Sequence, residues 1–288
     1  MNEFQIREHM CEIGRRLYAK GFAAANDGNI TYRLNDKEIL CTPTLVSKGY
    51  MKPDDICKVD YDGKQLAGSR KRTSEVLLHL VVYKLNPKVN AVVHCHPPHA
   101  TAFAVAHEPI PKCVLPEVEV FLGEIPIAKY ETPGNQKFAD TIAPYVKDTN
   151  TILLANHGTI TFGPTLDNAY FNTEIIDAYC RILILAKQLG RVNYFDEGQT
   201  RELLEFKKRL GYDDVRFNDA TAPMCGLSSF DEAYSDFVPE AVAFQHECAP
   251  STNACRTRGV LPPNMDMDEL VQVITERVME SLAGAGVS

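Results

Sequence analysis

The chain has 288 residues, with 30 lysines and arginines against 38 acidic residues and a formal net charge of −8. Its 45% hydrophobic and 24% charged residues suit a soluble globular protein with a sizeable core. An acidic chain without a basic block is a poor nucleic-acid binder, and no apolar run reaches the ~20 residues of a bilayer span, so neither nucleic acid nor membrane is an expected partner. The first twenty-one residues are charged and amphipathic, with no apolar signal region. Nine cysteines, most inside apolar segments, read as buried free thiols in a reducing cytoplasm.

In chain order, residues 3–20 read as a helix closed by Gly21. Residues 37–43 and 56–60 read as short strands. A helix is predicted over 73–85, opened by Thr73 or Ser74 and ended by Asn86-Pro87. Residues 91–96 form a strand, 99–106 a helix, and 136–147 a helix entered from the Pro133-Gly134 turn. Residues 151–155 read as a buried strand, Asn156-His157-Gly158 as a turn, and 159–162 as a strand. A long helix follows over 166–189. Strands alternating with helices predict an α/β domain, three layers α/β/α around a central mixed sheet. The expected division is a folded domain over 1–218, a proline-containing linker over 219–264 and an amphipathic helix over 265–284.

His94 and His96 are two residues apart on a predicted strand, so both imidazoles leave the same face. Such a pair suits a divalent metal or is simply two partly exposed histidines. His157 adds a third imidazole at a strand end beside Gly158, where it is either a further ligand or a solvent-facing turn residue. Together the three match the plan of a catalytic zinc site with an open position. Glu75 stands at the start of the 73–85 helix, where the helix dipole alone favours a carboxylate. The same helix start offers free N–H groups and two hydroxyls to an anion. Asn26-Asp27-Gly28-Asn29 and Thr42-Pro43-Thr44 offer more donors, which points to a phosphorylated carbonyl substrate. His79, four residues after Glu75, is placed to support the site.

Asp27-Gly28-Asn29-Ile30-Thr31, Thr42-Pro43-Thr44, Thr73-Ser74-Glu75, the strand ending in His94-Cys95-His96 and the Leu154-Ala155-Asn156-His157-Gly158 turn follow one another with the order and spacing of the class II aldolase/adducin-head family. Over roughly residues 5–212 the chain resembles its L-fuculose-1-phosphate and L-rhamnulose-1-phosphate aldolases. That resemblance implies Zn2+ held by His94, His96 and His157. It makes Glu75 the fourth ligand at rest and the acid/base once substrate displaces it. Gly28, Asn29, Thr44, Thr73 and Ser74 would hold the substrate phosphate. The implied reaction cleaves a 6-deoxyketose 1-phosphate to dihydroxyacetone phosphate and L-lactaldehyde, in a homotetramer. Two departures stand out: Leu115-Pro116-Glu117 lies where the fuculose enzymes place a tyrosine that serves the aldehyde oxygen, and Leu45 replaces a phosphate-loop glycine. Glu117, Glu119 and Tyr130 are candidates for the missing proton donor. Pentulose-phosphate 4-epimerases and a sugar-phosphate dehydratase share the metal site and are alternatives. So is a catalytically reduced scaffold protein, although adducin heads lack the histidines.

The enzymes of that family end near residue 215. Here Met267, Leu270, Val271, Ile274, Val278 and Leu282 form an apolar stripe at 3/4 spacing, and residues 266–283 contain five acids and one arginine. The segment resembles the encapsulation peptides that recruit enzymes into bacterial microcompartments. This resemblance implies shell or core proteins as partners. Cys225, Cys248 and Cys255 match no strong zinc spacing and read as incidental.

Overall fold

A computed structural model describes residues 1–217, 224–225, 237 and 239–244. The predicted helix over 265–284, most of the predicted linker, Cys248 and Cys255 lie outside the described residues. The described residues all belong to one compact unit, residues 1–246.

Among the described residues six α-helices and eight strands follow one another: α1 (Glu3–Ala19), β1 (Asn29–Arg33), β2 (Ile39–Cys41), β3 (Cys57–Val59), β4 (Gln65–Ala67), α2 (Val76–Leu85), β5 (Ala91–Cys95), α3 (Pro98–Ala106), β6 (Ile127–Ala128), α4 (Gln136–Asp140), β7 (Thr151–Leu154), β8 (Gly158–Gly163), α5 (Leu166–Gln188) and α6 (Glu197–Arg209). The sheet runs β4-β3-β2-β1-β5-β8-β7-β6, with β6–β7 parallel and every other pair antiparallel. The predicted three-layer arrangement follows from side-chain alternation along β5. Val92 joins the core beneath α2 and α4. Ala91, Val93 and Cys95 join the opposite core with α1 and the start of α5. Beyond it Leu153 and Ala155 pack with α3 and the rest of α5. Among the described residues no helix is long and apolar enough to cross a membrane.

Several elements differ from expectation. Helix α2 begins at Val76, because Ser74 and Glu75 form a turn whose last residue has φ −97° and ψ 17°. The expected 136–147 helix regularises only over Gln136–Asp140 and continues as turns. Helix α6 was not expected, although Asp196 and Gln199 form a capping box at its start.

Cys113 and Cys225 are not free thiols but are joined in a disulfide, while Cys11, Cys41, Cys57, Cys95 and Cys180 are free and buried. An ionic cluster brings the pair together. Arg216 bonds Glu119 (2.8 Å) and Asp214 (2.8 Å) and donates to the Met224 carbonyl (3.0 Å), while Glu119 also accepts the Cys113 N–H (2.6 Å). Part of the predicted linker also packs on the domain. Glu108 accepts the backbone N–H groups of Val242, Ala243 and Phe244 at 2.9–3.0 Å, and the Phe244 ring stacks on Phe103.

Candidate metal centre and active site

His94 shares the α2 face of β5 with Val92 and is fully buried. Its Nδ1 lies 2.8 Å from the Thr159 carbonyl on β8. A carbonyl can only accept, so Nδ1 carries the proton and Nε2 keeps its lone pair toward the site. His96 lies one residue beyond β5, its N–H bonded to the Phe22 carbonyl at 2.8 Å. His157 comes from the tight turn between β7 and β8, where Asn156 is left-handed at φ 54°. Gly158 makes this approach possible: a Cβ there would lie 2.5 Å from His96 Cδ2 and 2.6 Å from the Cys95 carbonyl. One ligating atom of each histidine lies within 4.8 Å of the others.

Glu75 caps this triad. Its Oε2 is 3.5 Å from His94 Nε2 and its Oε1 is 3.5 Å from His157 Nε2. Asn29 Nδ2 donates to Oε2 at 2.7 Å, and Asp27 lies 3.4 Å from His96 Nδ1. His94 Nε2, His96 Nε2 and His157 Nδ1 are buried without a hydrogen-bond partner. Buried polar atoms are rarely left so, and imidazoles beside a carboxylate form a donor set that fits Zn2+ or a similar divalent ion.

Burial, followed by the neighbouring His157 and His96, holds His94 well below the ordinary histidine range. Burial also lowers His157, against the pull of Glu75. Neutral imidazoles are the form a metal requires. His79 is fully buried and also held well below the ordinary range, first by burial and then by His94. One His79 nitrogen bonds the Thr31 hydroxyl (2.8 Å), which in turn meets the Tyr83 hydroxyl (2.8 Å). In the unfolded chain these histidines titrate near 6.5. Below that pH the unfolded state binds protons that the native state refuses. The metal-free protein is therefore expected to lose stability as pH falls through 6.5 toward 5, by up to about 1.4 kcal/mol per pH unit for each of His79 and His94. Denaturant melts across that range check the slope, and a flat profile would contradict it.

The three candidate phosphate loops lie side by side. The Thr73 N–H donates to the Thr42 carbonyl and the Thr44 N–H to the Lys71 carbonyl, both at 3.0 Å. Thr42 Oγ1 accepts the Ile30 N–H at 3.1 Å. Gly28, at φ 75°, lies against the His94 carbonyl, which a Cβ would meet at 3.0 Å. Gly28 thus lies against the His94 strand, while the Thr42–Thr44 and Thr73–Ser74 segments pair with one another next to Glu75. Asn29 and Thr73 also reach Glu75: Asn29 donates to its carboxylate, and Thr73 Oγ1 accepts its N–H at 3.3 Å. Leu45 adopts φ 59° and is 79% exposed, so the backbone keeps a glycine-like shape without the glycine. Glu119 is committed to Arg216 and to the Cys113 N–H, while Glu117 and Tyr130 are exposed. Sequence reasoning passed over Lys48, a buried lysine beneath these loops. A lone lysine in a loop carries no periodic signal.

The profile of the class II aldolase and adducin N-terminal domain matches residues 8–184. The 3-oxo-tetronate 4-phosphate decarboxylase of Escherichia coli K12 is 31% identical over 205 residues, 70% of this chain and 96% of that protein. An L-fuculose phosphate aldolase of Methanococcus vannielii is 34% identical over 171 residues, 59% of this chain and 91% of that protein. The crystal structure of YgbL from Escherichia coli superposes with a TM-score of 0.66 at 31% identity, covering 70% of this chain and 98% of its own. With three strand-end histidines, a carboxylate facing two of them and the sheet that positions them all, the chain belongs to the class II aldolase/adducin family and is an enzyme of its aldolase, or lyase, branch.

Proposed function

We propose that this enzyme is a zinc-dependent aldolase that cleaves a 6-deoxyketose 1-phosphate, L-fuculose or L-rhamnulose 1-phosphate, to dihydroxyacetone phosphate and L-lactaldehyde. The observation that carries the reading is Glu75, poised 3.5 Å from two of the histidine nitrogens and next to the Thr44 and Ser74 loops. His94, His96 and His157 would hold the metal. Bound there, Zn2+ supplies Lewis-acid stabilisation of the negative charge that carbon–carbon cleavage leaves beside the substrate carbonyl. Gly28, Thr44 and Ser74 bind the phosphate and so fix the reacting carbons. Asn29 orients the Glu75 carboxylate, and Thr73 fixes its backbone. The Glu75 carboxylate moves the proton to or from the carbon next to the carbonyl.

A second reading is decarboxylation of a phosphorylated 3-oxo acid, as the name of the Escherichia coli relative states for that protein. Losing CO2 leaves the same charge beside a carbonyl but requires no proton from a departing hydroxyl. The engagement of Glu119 with Arg216 favours it, because it removes one candidate for the aldehyde end. Assays of the zinc-loaded enzyme with L-fuculose 1-phosphate, L-rhamnulose 1-phosphate, 3-oxo-tetronate 4-phosphate and L-ribulose 5-phosphate separate the readings. Lactaldehyde release supports the aldolase, CO2 release the decarboxylase and isomerisation of the pentulose an epimerase. No turnover of any of the four would leave the dehydratase and scaffold readings.

We further propose a homotetramer that the amphipathic 265–284 segment recruits into a bacterial microcompartment, where a shell would confine the reactive aldehyde. The apolar stripe of that segment supports this reading. Deleting residues 262–288 should leave turnover intact and abolish co-purification with shell proteins. Retained co-purification would refute it.

A further inference from the structure

We infer that Lys48 is the buried cation of the anion pocket, a positioning residue that ties two phosphate loops together and supplies charge beneath a bound phosphate monoester. The inference rests on the phosphorylated substrate proposed above. Lys48 Nζ donates to the Asn26 carbonyl at 3.0 Å and to the Val46 carbonyl at 2.6 Å. One bond reaches the loop that carries Asp27, Gly28 and Asn29, and the other reaches the loop that carries Thr42 and Thr44. The residue is only 1% exposed.

The base of this arrangement is rigid. Residues Lys48–Tyr50 form a helical turn against α1. A Cβ on Gly14 would lie 2.6 Å from the Lys48 carbonyl, and one on Gly49 would lie 2.6 Å from the Tyr18 ring. Both contacts leave room only for glycine.

A buried ammonium is costly unless an anion and hydrogen bonds compensate it. Two carbonyls satisfy two of its three protons. Among the described residues no carboxylate pairs with it, and Asp27 and Glu75 act on it only through space. Burial pulls it down to about 8, so the ammonium form still prevails at neutral pH. A phosphate dianion over Gly28, Thr44 and Ser74 would supply the missing countercharge. Lys48 would then act as the fixed positive floor of a pocket otherwise built from neutral N–H and O–H donors.

The test uses the full-length zinc-loaded protein and inorganic phosphate as probe. Lys48→Gln keeps N–H donors for the two carbonyls and removes the charge; Lys48→Met removes both. We expect both variants to retain zinc and cooperative melting. Both should bind inorganic phosphate about tenfold or more weakly by titration calorimetry, the order expected for losing a nearby charge of low solvent screening. With a sugar phosphate that the wild type turns over, KM should rise in parallel and kcat should change far less. Wild-type phosphate affinity in Lys48→Gln would overturn the inference, and so would loss of zinc or of cooperative melting in both variants. Failure of the wild type to bind phosphate would overturn it too. A wild type that binds phosphate but turns over no sugar phosphate, with binding lost in Lys48→Gln, would sink the proposed reaction and leave the Lys48 inference standing.

Discussion

Replacing Glu75 with glutamine is expected to lower turnover by about 10²–10⁴-fold, the range for loss of a positioned general acid/base. The fold should tolerate the change. Glutamine has the same shape, and its carbonyl oxygen can still accept from Asn29 Nδ2, as Glu75 Oε2 now does at 2.7 Å. Its amide group then faces the histidine nitrogen 3.5 Å from Oε1, where N–H can donate to a lone pair. The local hydrogen bonds survive while the proton-accepting group is gone. Steady-state kinetics with metal content measured on the same sample is the check. Turnover within tenfold of wild type would remove Glu75 as the base.

Chelation is expected to abolish turnover, and zinc to restore it. His94→Ala should do the same irreversibly, because it removes the fully buried ligand at the centre of the sheet. The metal should also stabilise the fold. A ligand that binds only the native state adds about 4 kcal/mol at a thousand times its dissociation constant. Zinc at such excess should therefore raise the melting temperature of the wild type and leave His94→Ala nearly unmoved. The alanine variant itself should melt lower even without metal, since it leaves a cavity beside His79 and loses the hydrogen bond from His94 to the Thr159 carbonyl. Undiminished turnover in chelated protein would refute the metal reading.

The histidine cluster was far more legible in the sequence than its surroundings. His94 and His96 were readable because strand periodicity places residues two apart on one face, and β5 obeys it. His157 was readable because an apolar strand ended in Asn-His-Gly, where Gly158 is forced by close backbone approach. Three-dimensional pairings were not readable. That Asn29 lies opposite His94 in the β1–β5 register, and so reaches Glu75, depends on a strand pairing that no local pattern encodes. The Cys113–Cys225 bond joins residues 112 apart in sequence, beside an Arg216 that donates to the Met224 carbonyl, and no local pattern announces such a pairing. Lys48 was invisible for the opposite reason: its environment is made by loops, which have no period. Helix α6 was legible in principle through Asp196 and Gln199.

The histidine triad draws on two separate segments of the chain, β5 with its end and the β7–β8 turn, and this bears on the order of assembly. His94 and His96 come as a pair on one chain segment. His157 joins them only when β8 has paired with β5 on one side and β7 on the other. Before that closure this site offers a divalent ion only the His94–His96 pair, without the third nitrogen or the Glu75 oxygens. Metal capture should follow closure of the central strands rather than nucleate it. The time course of zinc uptake during refolding would thus report when the middle of the sheet is complete.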